Sequence, residues 1–348
     1  MEKIKISYQK EPVIRNLILS LTGHCNFQCV YCYAAYHPER KMEKEIALKA
    51  IDMAGKSGTP FILQFTGGEP LLAFETIQAA VAYVETKNYP AILQLQTNAS
   101  LMTEEIADYL KTHHIAIGVS LDGRPPVNDA LRKTKDGSSA SEATIRGIRI
   151  LASKKIAVGI TCVVTSANVH FLPGIVQMAY YLGNVRQIGF DLLRCQGKGE
   201  GLAPASPADM ALAVEQCYKL SLKLERTTGV HIRFSQLEKI RKITSGKACA
   251  FGQCYAMHGE EAYVTSDGKI YACSSLVGNE NFLLGDVWHG MDLQKTKIAG
   301  EQIAESMRIC RECPRLPSCG GGCFTRWLGR AGKAEEECVM QRTFAQFL

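Results

Sequence analysis

The chain has 348 residues, of which 46% are hydrophobic and 21% are charged, and its formal net charge is +6 at pH 7. This length and composition suit a globular protein with one large domain and a smaller one attached. The first twenty residues mix charged and apolar side chains, and no later stretch approaches the roughly 18 apolar residues of a membrane span. We therefore expect a cytoplasmic protein, and the mild, spread charge argues against nucleic-acid binding.

Cysteine is the unusual feature of the composition, with 14 residues. Three of them lie within Cys25 to Cys32 and eight lie between Cys249 and Cys338. In a chain without a secretory signal, such enrichment indicates metal or redox chemistry rather than disulfides. Among the isolated cysteines, we expect Cys162 in a strand and Cys217 in a helix to be small buried hydrophobic residues.

Short apolar runs alternate with helical patterns in the first part of the chain, which predicts an α/β fold with a parallel sheet. The predicted strands are Leu17–Leu21, Phe61–Phe65, Ile92–Gln96, Ile115–Ser120, Val158–Thr165 and Gln187–Leu192. The predicted helices between them are Glu43–Lys56, Phe74–Lys87, Thr103–His113, Ser141–Lys154 and Leu172–Leu182.

The alternation stops after Leu193, and three glycines at 197, 199 and 201 predict a flexible passage. Ser206-Pro207 then predicts the start of a helix that ends near Arg226. From Cys249 onward the chain is rich in cysteine and glycine and poor in long periodic segments, so we expect this part to need metal for folding. The predicted divisions are an α/β domain at 12–194, a helical linker at 195–248 and a cysteine-rich domain at 249–348.

The first cysteine cluster follows the first predicted strand, so Cys25, Cys29 and Cys32 share one loop at the carboxyl end of that strand. Active sites of β/α folds gather at this edge. A [4Fe–4S] cube normally takes four cysteines, and three leave one iron open to the amino and carboxylate groups of a bound ligand. By itself, the same loop could instead hold zinc.

The spacing of this cluster, with Tyr31 before the last cysteine, resembles the radical S-adenosylmethionine (SAM) superfamily. The segment Thr66-Gly67-Gly68-Glu69-Pro70 after the second strand resembles the family's segment for the methionine amino group. Glycines let backbone approach a ligand, and Glu69 offers a carboxylate to an ammonium. The resemblance covers roughly residues 16–193 and implies a partial (β/α)6 barrel. It also implies that a reduced [4Fe–4S] cluster cleaves S-adenosylmethionine to a 5′-deoxyadenosyl radical.

Other strand ends follow the order of this family. By resemblance, Ser120 and Arg132 are candidates for the carboxylate of S-adenosylmethionine, and Gln96 and Thr165 are candidates for its ribose side. Taken one at a time, each of these residues could equally be a strand cap or a solvated loop residue, and Asp122-Gly123 is also a plain turn signal.

The second cysteine field, from Cys254 to Cys338, resembles the SPASM domain of radical enzymes that modify peptides and proteins. Asp267-Gly268 predicts a hairpin turn that brings Cys254 and Cys273 to one side. By resemblance, two auxiliary [4Fe–4S] clusters are expected, and two zinc sites are the alternative. The expected ligands are Cys310, Cys313, Cys319 and Cys338 for one cluster, and Cys254, Cys273 and Cys323, completed by Cys249, for the other.

Among the named members of the superfamily, the chain resembles the anaerobic sulfatase maturases, through Ser120-Leu121-Asp122-Gly123, Asn128-Asp129, Arg132 and the spacing of the cysteine field. Two positions differ. Those enzymes tend to have Gln in place of Thr66, and an Asp, proposed as a base, where this chain has Ser274. We therefore expect a maturase that oxidises or cross-links a residue of a ribosomally made peptide.

Three other functions stay open at this point. They are formylglycine formation by a sulfatase maturase, oxidation of a small molecule, and an iron–sulfur electron-transfer or zinc-stabilised interaction protein. The sequence identifies no catalytic base, and Asp191 and Cys195, near the end of the sixth strand, are weak candidates for a catalytic role. The expected partners are a peptide or protein substrate and a flavodoxin- or ferredoxin-type reductant, whose acidity would suit the mild positive charge, with no nucleic acid and no membrane.

Overall fold

The structure is a computed structural model that describes residues 13–327 and 334–348. Two compact units alternate along the chain. The first consists of the described residues up to Cys25, Ala34–Leu95 and Gln253–Arg308. The second consists of Asn26–Tyr33, Gln96–Gly252 and the described residues of Ile309–Leu348. Both units draw on early and late parts of the chain, and the expected division at 12–194, 195–248 and 249–348 stays a prediction.

The predicted strands and helices are all present, with bounds within two residues of those expected from the sequence. In chain order the strands are β1 (Asn16–Ser20), β2 (Phe61–Thr66), β3 (Ala91–Thr97), β4 (Ala116–Ser120), β5 (Val158–Val164), β6 (Val185–Leu192), β7 (Arg233–Phe234), β8 (Glu261–Val264), β9 (Lys269–Tyr271), β10 (Leu283–Asp286) and β11 (Gly290–Met291). The helices are α1 (Lys44–Gly55), α2 (Phe74–Lys87), α3 (Glu104–Thr112), α4 (Pro125–Leu131), α5 (Ala140–Ser153), α6 (Pro173–Leu182), α7 (Pro207–Thr228), α8 (Ser235–Thr244), α9 (Leu293–Ser306), α10 (Arg308–Arg311), α11 (Leu316–Cys319) and α12 (Glu335–Ala345).

The first unit contains a sheet in which β1, β2 and β3 run parallel. Leu17 pairs with Leu63, and Leu63 pairs with Leu93, so these leucines form a buried row across the three strands. Side chains alternate between the two faces of a strand, which is why the apolar residues recur with a period of two. This arrangement places the carboxyl ends of β1 and β2 side by side.

The hairpin of β8 and β9 belongs to the same unit, as the turn at Gly268 predicted. The sequence did not predict that β8 also pairs in parallel with β1, with Leu17 opposite Ala262. Residues of β8 are buried on both faces, which explains the absence of an alternating pattern in this strand. The cysteine-rich part of the chain therefore contributes strands to the sheet that contains β1.

The second unit contains a parallel sheet in which β4, β5, β6 and β7 are adjacent in that order. Phe344 of α12 packs against Phe234 and Phe190, with ring centroids 5.5 and 6.3 Å away. Cys162 in β5 and Cys217 in α7 are fully buried, as predicted. The carboxyl-terminal helix thus covers the end of the sheet formed by β6 and β7.

Helix boundaries follow the capping residues. Thr103 and Ser206 accept hydrogen bonds from the main-chain N–H groups three residues ahead, at 3.2 and 3.1 Å. Beyond Cys249, where the sequence is poor in long periodic segments, α9 is nonetheless a helix of 14 residues. Its N-cap is Asp292, whose carboxylate accepts two main-chain hydrogen bonds at 2.8 and 2.9 Å. Asp292 was therefore the residue from which the sequence could have predicted the start of this helix. Of the helices described, none combines the length and apolarity needed to cross a membrane.

Candidate active site and iron–sulfur centres

The end of β2 lies directly against the loop that leads to Cys25. The N–H groups of Gly68 and Glu69 donate to the carbonyls of Thr22 and His24, at 2.6 and 2.9 Å. A Cβ added to Gly67 or Gly68 would lie 2.4 or 2.2 Å from those same carbonyl oxygens, and Gly67 has a φ of +144°. Only glycine permits this close approach, so the two segments have a fixed spacing.

Glu69 is fully buried at this junction. Its Oε1 accepts a hydrogen bond from the N–H of Leu71 at 3.2 Å, which caps the short helical turn that follows β2. A buried carboxylate needs such compensation because desolvation disfavours its charge. The side chain predicted to bind an ammonium group is therefore held in one position by the backbone.

The other two cysteines of the loop, Cys29 and Cys32, belong to the second unit, where the loop is fixed by a buried aspartate. The Tyr31 hydroxyl donates to Oδ2 of Asp122, and the N–H of Val163 donates to Oδ1 at 2.8 Å. The sequence indicated only a turn at Asp122. No local signal reveals its role, since its partners are distant along the chain.

Arg132 is a further partner of Asp122. Its Nη2 donates to Oδ1 of Asp122 at 2.9 Å, and its Nε lies 2.9 Å from Oδ2 at an angle that makes no hydrogen bond. Burial raises the pKa of the Cys29 thiol, and the Arg132 guanidinium partly opposes that shift. A nearby cation favours the thiolate, which is the form that binds iron. The guanidinium also lies 5.5 Å from the Tyr31 ring centroid.

Two of the residues predicted to contact S-adenosylmethionine lie together. Nε2 of Gln96 donates to Oγ of Ser120 at 3.0 Å, at the carboxyl ends of β3 and β4. Thr165 is instead buried in a turn, where its hydroxyl contacts Oδ1 of Asn168 at 3.3 Å and accepts from the N–H of Ala167 at 3.1 Å. The roles of these residues, and of Arg132, toward S-adenosylmethionine stay predictions.

The passage of glycines after β6 contacts the cluster loop, which corrects the expectation that it is merely flexible. The N–H of Lys198 donates to the carbonyl of Cys32 at 3.0 Å. Gly197 has a φ of +58°, and a Cβ there would lie 2.7 Å from the same oxygen. Arg194 packs its guanidinium 4.2 Å from the Tyr33 ring centroid. The segment thus supports the loop from the side of β6.

Four predicted cluster ligands, Cys310, Cys313, Cys319 and Cys338, line one cavity in the second unit. Burial raises the pKa of the Cys310 thiol to about 11, and the other three thiols add to that shift. A [4Fe–4S] cube takes four thiolate ligands, and these four cysteines fit that requirement. Among the described residues, no three His, Cys, Asp or Glu side chains converge on one metal ion. Each thiolate of a cube binds a different iron, so such ligands stand further apart than around a single ion.

Comparison with known proteins decides the family. The radical SAM superfamily model matches residues 19–175. An uncharacterised protein of Methanocaldococcus jannaschii is 35% identical over 269 residues, which are 76% of this chain and 86% of that protein. The chain belongs to the radical SAM superfamily. Membership confirms the predicted cofactors of the first site, S-adenosylmethionine and a [4Fe–4S] cluster, and that the protein is an enzyme.

Other relatives and solved structures are similar to this radical SAM enzyme over most of its chain. A cysteine-type anaerobic sulfatase-maturating enzyme of Clostridium perfringens is 25% identical over 340 residues, 90% of this chain and 89% of that enzyme. The structure of native anSMEcpe with bound AdoMet has a TM-score of 0.79 at 20% identity and covers 95% of this chain and 96% of that one. Streptococcus suis SuiB bound to precursor peptide SuiA has a TM-score of 0.67 at 16% identity and covers 94% and 74%. These likenesses confirm the predicted α/β fold.

The remaining predicted ligands of this radical SAM enzyme are divided between the units. Cys249, which is exposed, and Cys323 belong to the second unit, and Cys254 and Cys273 belong to the first. Their grouping around one cluster stays a prediction.

Within the first unit, the carbonyl of Ser274 lies 3.3 Å from Nε2 of a buried histidine, His37.

The two candidates for a catalytic role have different surroundings. Asp191 accepts a hydrogen bond from Arg326 and lies 3.3 Å from Nη2 of Arg194. Burial acts to raise the pKa of this carboxyl, but the two guanidinium groups outweigh it and hold the pKa below its ordinary value. A compensated carboxylate is a weak base. Cys195 is exposed, and nothing in its position assigns it a chemical role.

Proposed function

We propose that this radical SAM enzyme is a maturase that oxidises or cross-links a residue of a ribosomally made peptide. The observation that carries the proposal is the cavity lined by Cys310, Cys313, Cys319 and Cys338, because the SPASM resemblance of those cysteines is to enzymes that modify peptides. The match to a sulfatase-maturating enzyme over 90% of the chain supports it. Further support comes from a structural neighbour, native anSMEcpe, which was solved with bound AdoMet and Cp18Cys peptide.

The residues of the chain have distinct tasks in this proposal. When bound, the first cluster and S-adenosylmethionine supply a 5′-deoxyadenosyl radical that removes hydrogen from the substrate. Cys25, Cys29 and Cys32 bind the cluster, and Glu69 receives the amino group of S-adenosylmethionine. Asp122 keeps the cluster loop in place through Tyr31, so that the reacting groups are held in one orientation.

The surroundings of Ser274 favour a peptide other than a sulfatase. Formation of formylglycine from a Cys or Ser side chain needs a base within hydrogen-bond reach of the thiol or hydroxyl. Ser274 has no useful basicity at neutral pH. Asp286 pairs with Lys269, at the end of β9 that is away from Cys273, and accepts hydrogen bonds from the N–H groups of Trp288 and His289, at 2.8 and 2.9 Å. Burial acts to raise the pKa of Asp286, but the His289 side chain and these N–H groups outweigh it and hold the pKa below its ordinary value, so this acid is also a weak base.

Formylglycine formation is the second candidate, and a specific observation favours it. The cysteine-type enzyme of Clostridium perfringens and the serine-type enzyme of Klebsiella pneumoniae are each 25% identical to this chain and match 90% of it. In this second proposal, the base would lie elsewhere than next to Cys273.

The experiment is anaerobic incubation with S-adenosylmethionine, a reductant and two sets of peptides, read by mass spectrometry. One set contains the short peptides encoded beside the gene, and the other contains a sulfatase-type peptide with Cys-x-Pro-x-Arg. We expect 5′-deoxyadenosine and a peptide that has lost hydrogen in the first set, and neither product with Cys25→Ala. Efficient formylglycine formation in the second set would establish the second candidate instead. Absence of any S-adenosylmethionine cleavage would contradict both.

A further inference from the structure

Thr325 lies between a predicted cluster cysteine and a buried arginine. Its Oγ1 is 3.1 Å from Sγ of Cys323, and it accepts a hydrogen bond from Nη1 of Arg326 at 2.9 Å. The residue is 6% exposed and the arginine is 3% exposed, so water has little access to either contact. In such surroundings, hydrogen bonds are electrostatically stronger than at the surface.

The donors in this chain of contacts can be assigned from chemistry. Arginine stays protonated and only donates, so the Thr325 hydroxyl is the acceptor toward Arg326. A cysteine that binds iron is a thiolate without a proton, so Cys323 as a ligand can only accept. The hydroxyl proton of Thr325 must then point at the sulfur of Cys323. Donation from Arg326 polarises the hydroxyl and strengthens the second hydrogen bond.

Arg326 is held so that this geometry is fixed. Its main-chain N–H donates to the carbonyl of Cys323 at 3.0 Å, which closes the turn that contains all three residues. Its guanidinium donates to Asp191, and its Nε lies 3.8 Å from Oε2 of Glu337. Two carboxylates therefore balance a cation whose side chain is 2% exposed.

We infer that Thr325 is a positioning residue that donates a hydrogen bond to the Cys323 thiolate and raises the reduction potential of the cluster that Cys323 binds. This inference rests on the proposed role of Cys323 as a ligand. Reduction adds one electron from the external reductant to the cluster and breaks no bond. A donor to a ligand sulfur stabilises the extra negative charge, and such hydrogen bonds set iron–sulfur potentials.

The test uses protein in which Cys25, Cys29 and Cys32 are replaced by Ala, so that only the auxiliary clusters titrate. Reductive titration of the reconstituted protein, followed by electron paramagnetic resonance, compares Thr325→Val with Thr325→Ser. We expect the valine variant to lower one of the two potentials by about 59 mV, a roughly tenfold loss of stabilisation for one electron. The serine variant retains the hydroxyl and should keep the original potential.

Thr296→Val is the matched control. Thr296 is as buried as Thr325, but its hydroxyl donates to the carbonyl of Asp292 at the start of its own helix, at 2.7 Å. This change should leave both potentials unaltered.

The outcomes separate the inference from the assignment on which it rests. A Thr325→Val variant with its full iron content and both original potentials contradicts the hydrogen-bond inference and leaves the ligand assignment intact. Undiminished iron in Cys323→Ala contradicts the assignment itself. If Thr325→Val does not load iron, Thr325→Ala removes the hydroxyl with less bulk and is titrated in its place. If only the serine variant loads iron, the hydroxyl is required for the cluster to bind, which contradicts a role in setting its potential.

Discussion

The hydroxyl of Tyr31 donates to the carboxylate of Asp122 and thereby joins the loop of Cys29 and Cys32 to the end of β4. Both side chains are buried, and the carboxylate also pairs with Arg132. A single anion therefore orients an aromatic ring beside the cluster cysteines and the cation that faces Cys29. This contact adds to the main-chain hydrogen bonds that hold the loop, among them those from Val30 to Leu131 and from Lys198 to Cys32.

The first prediction concerns this anion. Asp122→Asn leaves Arg132 as a buried cation without a countercharge, so the free energy of unfolding should fall by about 3–5 kcal/mol. Tyr31→Phe removes one hydrogen bond to a charged group and should cost about 1.5–3 kcal/mol. Anaerobic urea titrations followed by circular dichroism measure both values.

Tyr83→Phe is the control for these titrations, because its hydroxyl also donates to a carboxylate, that of Asp52, but at a partly exposed site. It should change stability little. Equal losses in the free energy of unfolding of Tyr31→Phe and Tyr83→Phe would show that burial does not make the Asp122 contact more stabilising.

The second prediction concerns the contact between the glycine passage and the cluster loop. Gly197→Ala should lower both the iron content and the production of 5′-deoxyadenosine, because the new Cβ would lie 2.7 Å from the carbonyl of Cys32. Gly201→Ala is matched to it, since Gly201 also has a positive φ, of +80°, but has open space around it. The control should cost about 1–2 kcal/mol of backbone strain and leave the cluster unaffected. Identical effects would mean that strain alone matters.

The third prediction is the iron content. Anaerobically reconstituted protein should bind about twelve irons, which is three clusters of four. Joint replacement of Cys25, Cys29 and Cys32 by Ala should leave about eight and abolish 5′-deoxyadenosine. Replacement of Cys310 alone should remove only the cluster in the cavity that it lines. Iron and sulfide assays with absorption spectra measure these values, and zinc in anaerobically purified protein would contradict them.

The fourth prediction separates a structural role of Asp191 from catalysis. Its pKa lies below the ordinary 3.8, so its stabilising contribution is complete at neutral pH and is lost as the pH falls through the lower folded value. Asp191→Asn should lower the free energy of unfolding at neutral pH by about 1.5–3 kcal/mol and make its decline in acid shallower. The pH profile of turnover should keep its shape around neutrality. A general base is active when deprotonated, so loss of the acid limb of that profile together with most of the turnover would instead identify Asp191 as the base.

The fifth prediction concerns the isolated cysteines. Burial raises the pKa of the Cys162 and Cys217 thiols, so both stay protonated well into the alkaline range and should resist iodoacetamide. The exposed Cys195 should react in the folded protein, as peptide mapping would show, and Cys195→Ser should retain turnover. A loss of turnover in that variant with an intact iron content would give Cys195 the functional role that its surroundings do not indicate.

The parts of the fold that the sequence predicted are those with local signals. Apolar periods of two and 3.6 located the strands and helices, and capping residues such as Ser206 located their ends. In contrast, β7 is two residues long and too short to show a period. The pairing of β8 with β1 joins residues far apart in the chain, and no property of either strand alone specifies it.

The residues of the candidate site also divide into those that the sequence predicted and those whose role depends on tertiary structure. The family resemblance, rather than spacing, grouped the four cysteines that line one cavity, since Cys323 lies nearer to Cys319 in the chain than Cys338 does. Asp122 was indistinguishable from an ordinary turn residue, since its role depends on Tyr31 and Arg132 arriving from other segments. Gly197 indicated flexibility, whereas its conformation serves a close approach to Cys32 that only tertiary structure reveals.

The position of β8 beside β1 has a practical consequence. In this unit β1 has β2 on one side and β8 on the other, so both rows of its backbone groups are satisfied. A shortened protein that stops before Cys249 would turn β1 into an open edge, with unpaired amides and carbonyls available to other chains. Such a fragment should aggregate rather than yield a working minimal enzyme. Chimeras between homologues should therefore exchange β1 and β8 together, because the two strands pair with each other.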